Sequence, residues 1–463
     1  MSSPGPFEFA TAGRVIVGAG RAAELPATLA RLGSRALVCT GSQPARHAGL
    51  IDGLGVPAAV FPVTGEPTVD VARSATGAAR KHGADLVLAI GGGSVIDLGK
   101  AVAMLLGNGG DPLDYIELVG RGQPITRPSI PYVAVPTTAG TGAEVTANSV
   151  LAVPEHRLKA SLRSPLMLPR VALVDPALTL DCPPAVTASS GLDALTQCLE
   201  PFVSVRANPL TDALAREGLA RAAAGLRRAF VDGSDTDART QMSVCSLLGG
   251  MCLANAKLGA VHGFAGPVGG TVDAPHGAVC AALLVPVVAA NVAALRARAP
   301  DSPALFRYAV AARLLTGRHD AAIEDGIAWL RETVAMLAVP GLGAYGVRAE
   351  HADDLVAKAE QASSMQGNPI VLSAGELHSI LAAARSRRRG VMPTFPGDPA
   401  GDPAAPARVA APGAGSERPA RRGVAGRDAQ VSMHTGSRTK CAHRGSRHAV
   451  RELSHPSDSL HPR

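Results

Sequence analysis

From the amino terminus to about residue 180, short aliphatic and β-branched runs alternate with Ala/Leu/Arg stretches. RVIVG (14–18), RALVCT (35–40), DLVLAI (85–90) and YVAVP (132–136) each stop at or just before Gly, Thr or Pro. Segments such as AAELPATLARLG and VDVARSATGAARKHG lie between them. Strands that are apolar at every position, rather than at alternate ones, are covered on both faces, and helices are the usual cover. The pattern therefore predicts a parallel sheet with crossover helices. After Pro183 the strand-like runs largely vanish, and Ala/Leu-rich segments at helical spacing continue to about Ala384. The expected fold class is α/β + all-α, with a parallel-sheet domain over residues 1–181, an all-helical domain over 182–384, and a cleft between them.

From 385 to 463 the text turns Pro/Gly/Ala/Arg-rich and then Ser/His/Arg-rich. Large apolar residues are too sparse there to offset the entropy of ordering the chain, so this segment is expected to be a disordered basic tail. It also holds the positive charge. The whole chain carries +7, but residues 385–463 contain 15 Lys+Arg against 6 Asp+Glu, which leaves 30 against 32 for the rest. A nearly neutral folded part gives no electrostatic footprint for nucleic acid, and none is expected as a partner.

The seven cysteines (Cys39, Cys182, Cys198, Cys245, Cys252, Cys280, Cys441) are odd in number and contain no CxxC pair. They read as reduced thiols of a cytoplasmic protein. The first residues, MSSPGPFEFATAGR, lack the apolar core of a secretory signal. Gly277 to Leu295 is almost wholly apolar but includes Pro286 and Asn291. It is read as a buried helix rather than a membrane span, so no membrane partner is expected.

Two loops have phosphate-binding chemistry. In AIGGGSVIDLGKAVA (89–103) an apolar strand ends at Ile90, glycines and Ser94 follow, and a helix is expected from about Val95. Glycines admit a diphosphate close to the backbone, and a helix amino terminus aims N–H groups and its positive dipole end at the charge. Asp97 is expected in the first helical turn, where a carboxylate suits the dipole. The second loop, Thr137-Thr138-Ala139-Gly140-Thr141-Gly142-Ala143-Glu144, follows the strand YVAVP, where hydroxyls at a strand's carboxyl end meet ligands. An ordinary Ser/Thr turn reads equally well. Gly18-Ala-Gly20-x-x-Ala23 also fits the loose pattern GxGxxA, but so short a pattern has little force in a chain with 51 glycines.

In the helical half, SSGLDALTQCLEPF (189–202) sets Asp193 and Gln197 on one helical face, and GAVHGFAGPVGGTVDAPHG (259–277) contributes His262 and His276. A carboxylate and two imidazoles form a plausible set of metal ligands with a position open for substrate. The competing reading is a solvated Asp and two unrelated histidines.

Together, GGGSVIDLGKA, VPTTAGTGAEVT, the GLDALTQ-x-x-E helix and GAVHGF…APHG resemble the iron-containing (group III) alcohol dehydrogenases, in order and spacing from about Phe7 to Ala384. The resemblance implies NAD(P), a divalent metal (Fe2+, with Zn2+ or Mn2+ as alternatives), a homodimer, and hydride transfer to or from a small alcohol or aldehyde. It places Gly92, Gly93 and Ser94 at the diphosphate, Thr137, Thr138 and Thr141 in a second cofactor loop, and Lys159 on the cofactor side. Asp193, His262 and His276 match three of the family's four metal ligands.

The departures are Gln197, a possible fourth ligand through its amide oxygen where the family has His, and Gly266, where relatives carry a second His near the substrate. With Gly266 there, the proton relay has no assigned residue. Gly41 stands where NAD-preferring relatives carry an Asp that repels a 2′-phosphate, so NADP(H) is expected to be accepted. Two other readings are a maleylacetate reductase-like enzyme acting on an oxo acid and a cofactor-binding pseudoenzyme with an eroded metal site. The dehydroquinate synthase-like branch shares the implied fold, but GAEVT and DALT place the chain nearer the alcohol dehydrogenases.

Overall fold

A computed structural model describes residues 5–117, 119–156 and 158–386 of the 463-residue chain. The expected disordered tail lies outside the described residues, apart from its first two positions. The last helix runs one residue past the expected boundary, to Arg385.

Among the described residues there are eight strands: β1 (Val15–Val17), β2 (Ala36–Gly41), β3 (Ala58–Val63), β4 (Leu86–Gly91), β5 (Tyr132–Pro136), β6 (Asn148–Val153), β7 (Leu158–Arg163) and β8 (Val171–Val174). Six form one parallel sheet in the order β1-β8-β5-β4-β2-β3, and β6 pairs with β7 as a separate antiparallel hairpin. Helices α1 (Leu25–Leu29), α2 (Ala48–Asp52), α3 (Val69–His82), α4 (Gly93–Asn108) and α5 (Pro112–Tyr115) fall among the strands. Strand residues divide between two apolar layers. Leu37, Cys39, Val87 and Ala89 pack with Ala72, Ala75 and Ala79 of α3 and Leu98 and Val102 of α4. Val38, Leu88 and Ile90 pack with Leu25 and Leu29 on the other face. This two-sided burial is why the central strands are apolar at consecutive positions.

Local chemistry fixes the helix ends. Thr68 accepts the Val71 N–H at 3.2 Å to start α3, and Gly83 ends it at φ +70°, a left-handed conformation that only glycine adopts at little cost.

From Pro184 onward the described chain is helical: α6 (Pro184–Val203), α7 (Pro209–Val231), α8 (Thr236–Ala256), α9 (Ala260–Thr271), α10 (His276–Arg298), α11 (Pro303–Thr316), α12 (Ile323–Met336), α13 (Ala352–Gln361) and α14 (Ala374–Arg385). The apolar run 277–295 lies inside α10. Among the described residues this single helix is long and apolar enough to cross a membrane, yet 78% of its most apolar stretch is buried against the protein. The described residues form one compact unit.

Candidate metal and cofactor site

The sheet supplies one side of the site. β2 is followed outward by β3 while β4 is followed by β5 in the opposite direction, so the strand order reverses between β2 and β4. Open α/β sheets take ligands outside the carboxyl ends of the strands at such a reversal. Gly41 ends β2 there, and a Cβ at Gly41 would meet nothing within 4 Å. Gly92 caps α4 in extended backbone with no side-chain acceptor, leaving the first-turn N–H groups of Gly93 and Ser94 uncapped. The helix thus starts two residues earlier than its sequence suggests.

The second loop lies directly against this turn. A Cβ at Gly93 would come within 2.8 Å of Thr141 Cγ2, and one at Gly92 within 3.4 Å of Thr138 Oγ1. Thr137 donates its N–H to the Gly91 carbonyl at 3.0 Å, which joins the ends of β4 and β5. Backbone bare of side chains, uncapped N–H groups and nearby hydroxyls form a cradle suited to a diphosphate.

One expectation changes here. Asp97 does not sit in the first turn of α4. Its carboxylate accepts the Val150 N–H at 3.1 Å and lies 3.8 Å from Lys100 Nζ. Burial raises its pKa to about 6, against the pull of Lys100, the Val150 amide and the more distant His276. Its partners are therefore protein groups of α4 and β6, which makes it a support for the turn. Lys159 stands on the β6–β7 hairpin, 3.5 Å from Glu66 and beside Gly269 of α9. The discounted Gly18–Ala23 turn follows the edge strand β1. Its Gly20 and Ala22 amides are spent on Asp175, at 3.1 and 2.9 Å.

The helical half supplies the other side. α6 carries Asp193, α9 carries His262 in its first turn, and α10 begins at His276. These three side chains converge. His262 Nε2 lies 3.3 Å and His276 Nε2 3.8 Å from Asp193 Oδ1. That oxygen is buried and makes no hydrogen bond. Left alone it would cost about 1–3 kcal/mol, so its environment suits a cation.

Cys280 joins the cluster, its Sγ 3.8 Å from His262 Nε2 and 3.6 Å from His276 Nε2. One ligand atom from each of the four residues lies within 4.8 Å of every other. Gln197, one turn after Asp193, donates its amide N–H to Asp193 Oδ2 at 2.9 Å, while its own oxygen is buried without a partner.

Electrostatics agree with the geometry. The adjacent Cys280 outweighs burial and, with Asp193, lifts His276 to about 9. Burial opposes charge on His262, but Cys280, Asp193 and Glu200 together raise it well above its ordinary value. Burial would raise Asp193, yet the two histidines hold it below the usual carboxylate range. A buried site that favours positive charge on two imidazoles is one in which a divalent cation can displace protons.

Glu200, buried on α6, completes the arrangement. Its Oε2 lies 2.7 Å from His262 Nδ1, and its Oε1 accepts the Val261 N–H at 2.7 Å. A proton held on Nδ1 leaves the Nε2 lone pair free to face the cluster.

The two sides touch. A Cβ at Gly140 would lie 2.7 Å from Ser190 Cβ of α6, three residues before Asp193, and Gly142 (φ +58°) abuts Gly250 of α8. The loop that borders the diphosphate cradle thus rests on the helix that carries Asp193.

Residues 12–176 match the iron-containing alcohol dehydrogenases, and residues 187–385 match the carboxy-terminal part of the Fe-containing alcohol dehydrogenase family. The chain belongs to the iron-containing alcohol dehydrogenase family. It is 34% identical to 4-hydroxybutyrate dehydrogenase of Cupriavidus necator over 334 residues, 71% of this chain and 85% of that protein. It is 38% identical to alcohol dehydrogenase 4 of Saccharomyces cerevisiae (strain YJM789) over 241 residues, 52% of this chain but only 62% of the yeast protein. The solved structure of 1,3-propanediol oxidoreductase superposes with a TM-score of 0.75 at 30% identity, covering 82% of this chain and 100% of that one. Sulfoacetaldehyde reductase from Bifidobacterium kashiwanohense, solved with NAD+, gives 0.73 at 26% identity over 82% and 99%.

Within this family of NAD(P)- and metal-using oxidoreductases, Gln197 and Gly266 are the departures that the resemblance implies. A Cβ at Gly266 would meet nothing within 4 Å, so no side chain of this chain occupies that point. Sequence reasoning counted Cys280 among scattered thiols and included Glu200 only as the last residue of the GLDALTQ-x-x-E motif, without a role. The i,i+4 offset from His276 to Cys280 was the available signal for the first, and the motif itself for the second.

Proposed function

We propose that this chain is an NAD(P)-dependent dehydrogenase that interconverts a small alcohol and its aldehyde and depends on a divalent metal, with Fe2+ the ion named by the family. The observation that carries this reading is the convergence of Asp193, His262 and His276 around a buried, unpartnered carboxylate oxygen, on a helix that also abuts the cofactor loop.

The chain's own groups have separate tasks. Gly92, Gly93 and Ser94 bind the diphosphate through backbone N–H groups at the start of α4, with Thr137, Thr138 and Thr141 as hydroxyl neighbours and Lys159 as a nearby cation. Asp193, His262 and His276 hold the metal, and Glu200 keeps the proton of His262 on Nδ1. When bound, the cation supplies Lewis acidity at the substrate oxygen and the nicotinamide supplies the hydride-carrying carbon. Open space at Gly41 and the loss of a carboxylate there favour acceptance of NADP(H) as well as NAD(H). We assign cofactor binding to residues 1–181 and the metal to 182–384, and expect a homodimer in the cytoplasm.

Purified full-length protein is assayed with a panel of aliphatic alcohols and aldehydes and both cofactors. Turnover abolished by chelator and restored by Fe2+, Zn2+ or Mn2+ supports the proposal. The open position at Gly266 favours one competitor, a pseudoenzyme, which would bind cofactor without turnover. Metal-independent reduction of oxo acids would instead indicate a maleylacetate reductase-like activity.

A further inference from the structure

The sequence resemblance implies a fourth ligand at the position of Gln197, and the structure brings a different donor to the same place. His276 and Cys280 lie one turn apart on α10, so both side chains project from one face of the helix. We propose that Cys280, and not Gln197, is the fourth donor of this centre, making it an Asp-His-His-Cys site that selects Zn2+ over harder divalent ions.

Distances carry the argument. Ligand bonds of about 2.3 Å to sulfur, 2.0–2.1 Å to imidazole and 2.0–2.2 Å to carboxylate imply tetrahedral edges of roughly 3.3–3.6 Å. The edges present are 3.6 and 3.8 Å from Cys280 Sγ to the two imidazole Nε2 atoms, and 3.3 and 3.8 Å from those atoms to Asp193 Oδ1. Four donors from three helices thus already stand near the spacing of one coordination sphere. Cys280 is buried, and among the described residues its hydrogen-bond partners all lie in this cluster. The Gln197 amide nitrogen is committed to Asp193 Oδ2, which orients the carboxylate so that Oδ1 faces the imidazoles. Gln197 is then a positioning residue.

The chemistry of the donor set follows. Asp193 and a Cys280 thiolate together neutralise a divalent ion, which two imidazoles and an amide beside Asp193 would not. A thiolate favours Zn2+ over Mn2+ or Mg2+, and zinc held by these four groups would take the substrate oxygen as a fifth ligand.

The inference rests on the metal-dependent reading above, and the test separates their failures. Metal-free, full-length protein is titrated with Co2+, whose spectrum reports sulfur ligation, and with Zn2+ in competition with a chromophoric chelator. We expect stoichiometric Co2+ binding with a thiolate-to-cobalt charge-transfer band in the near ultraviolet. The band should disappear in Cys280→Ser and persist in Gln197→Leu, while Zn2+ affinity falls roughly tenfold or more in Cys280→Ser. Should the serine variant not fold, Cys280→Asp retains an anionic donor and must lose the band while still binding Co2+. Stoichiometric binding without the band overturns the role of Cys280 but leaves the metal-dependent dehydrogenase intact. The same holds for a band that survives in Cys280→Ser. Wild-type protein that binds neither ion overturns both.

Discussion

Replacing Glu200 with Gln changes one atom and should disable the metal centre, because the side chain faces two donors at once. Glu200 Oε1 accepts the Val261 N–H and Oε2 meets His262 Nδ1, each at 2.7 Å, in a buried setting. Glutamine has one acceptor to offer. If its oxygen keeps the Val261 N–H, its NH2 group faces Nδ1, which must then accept, and the imidazole proton moves to Nε2. That nitrogen is the one 3.3 Å from Asp193 Oδ1 and 3.8 Å from Cys280 Sγ, and a protonated Nε2 has no lone pair for a metal. If the amide turns over, the Nδ1 proton is satisfied but the buried Val261 N–H faces another donor, which costs about 1–3 kcal/mol. Either arrangement should weaken metal binding by about 10–100-fold, equivalent to roughly 1.4–2.7 kcal/mol. Chelator competition with Zn2+ or Co2+ measures the affinity directly, with circular dichroism of the metal-free protein as the control for folding. A folded Glu200→Gln protein that binds metal as tightly as wild type would refute the argument that Glu200 sets the His262 tautomer.

Three further outcomes follow from the cofactor side. Gly93→Ala places a Cβ 2.8 Å from Thr141 Cγ2 and 2.9 Å from its Oγ1, so it should raise the cofactor KM roughly tenfold, or about 1.4 kcal/mol, with kcat at saturation little changed. Gly41→Asp meets no steric obstacle and restores a negative charge at the end of β2. It should shift the kcat/KM ratio toward NAD by roughly tenfold or more, as read from steady-state kinetics with both cofactors. Glu144 is 1% exposed, and burial lifts its carboxyl pKa to about 7. Between the ordinary 4.5 and about 7 the folded chain holds a proton that the unfolded chain releases, so the stability contributed by the neutral form is lost progressively over that window and is gone once pH passes about 7. Glu144→Gln removes that dependence. Its stability relative to wild type should therefore climb by as much as about 3 kcal/mol between pH 4 and pH 8 in denaturant titrations, and a pH-independent difference would contradict the assignment.

What the sequence disclosed, and what it withheld, divides along physical lines. β2, β4 and β5 were legible because burial on both faces writes consecutive apolar residues into the chain. β3 was not: it is the sheet edge, only partly buried, and carries Pro62, which a central strand would not tolerate. β8 has four residues, too short to show a period, and the β6–β7 hairpin carries the polar Ser161 and charged Lys159 and Arg163 of a half-covered ribbon. Glycine-rich loops could be read because a close backbone approach is a local demand, met by residue type at fixed offsets. The metal centre demanded more. Asp193 and Gln197 share a helical face by spacing alone, yet whether an amide meets a metal or a neighbouring carboxylate depends on side-chain orientation, and here its nitrogen meets Asp193.

Cys280 and Glu200 show the same limit from the other side. A thiol four residues after a histidine, and a glutamate seven after an aspartate, are unremarkable along the chain. They acquire meaning only when α6, α9 and α10 bring their faces together, which sets Glu200 against the far nitrogen of His262 and Cys280 against the near one. Gln197 on α6 and the sulfur of Cys280 on α10 therefore border one site from two different helices. A departure judged along a single helix looks like erosion, whereas across the packed helices the number of candidate donors is unchanged.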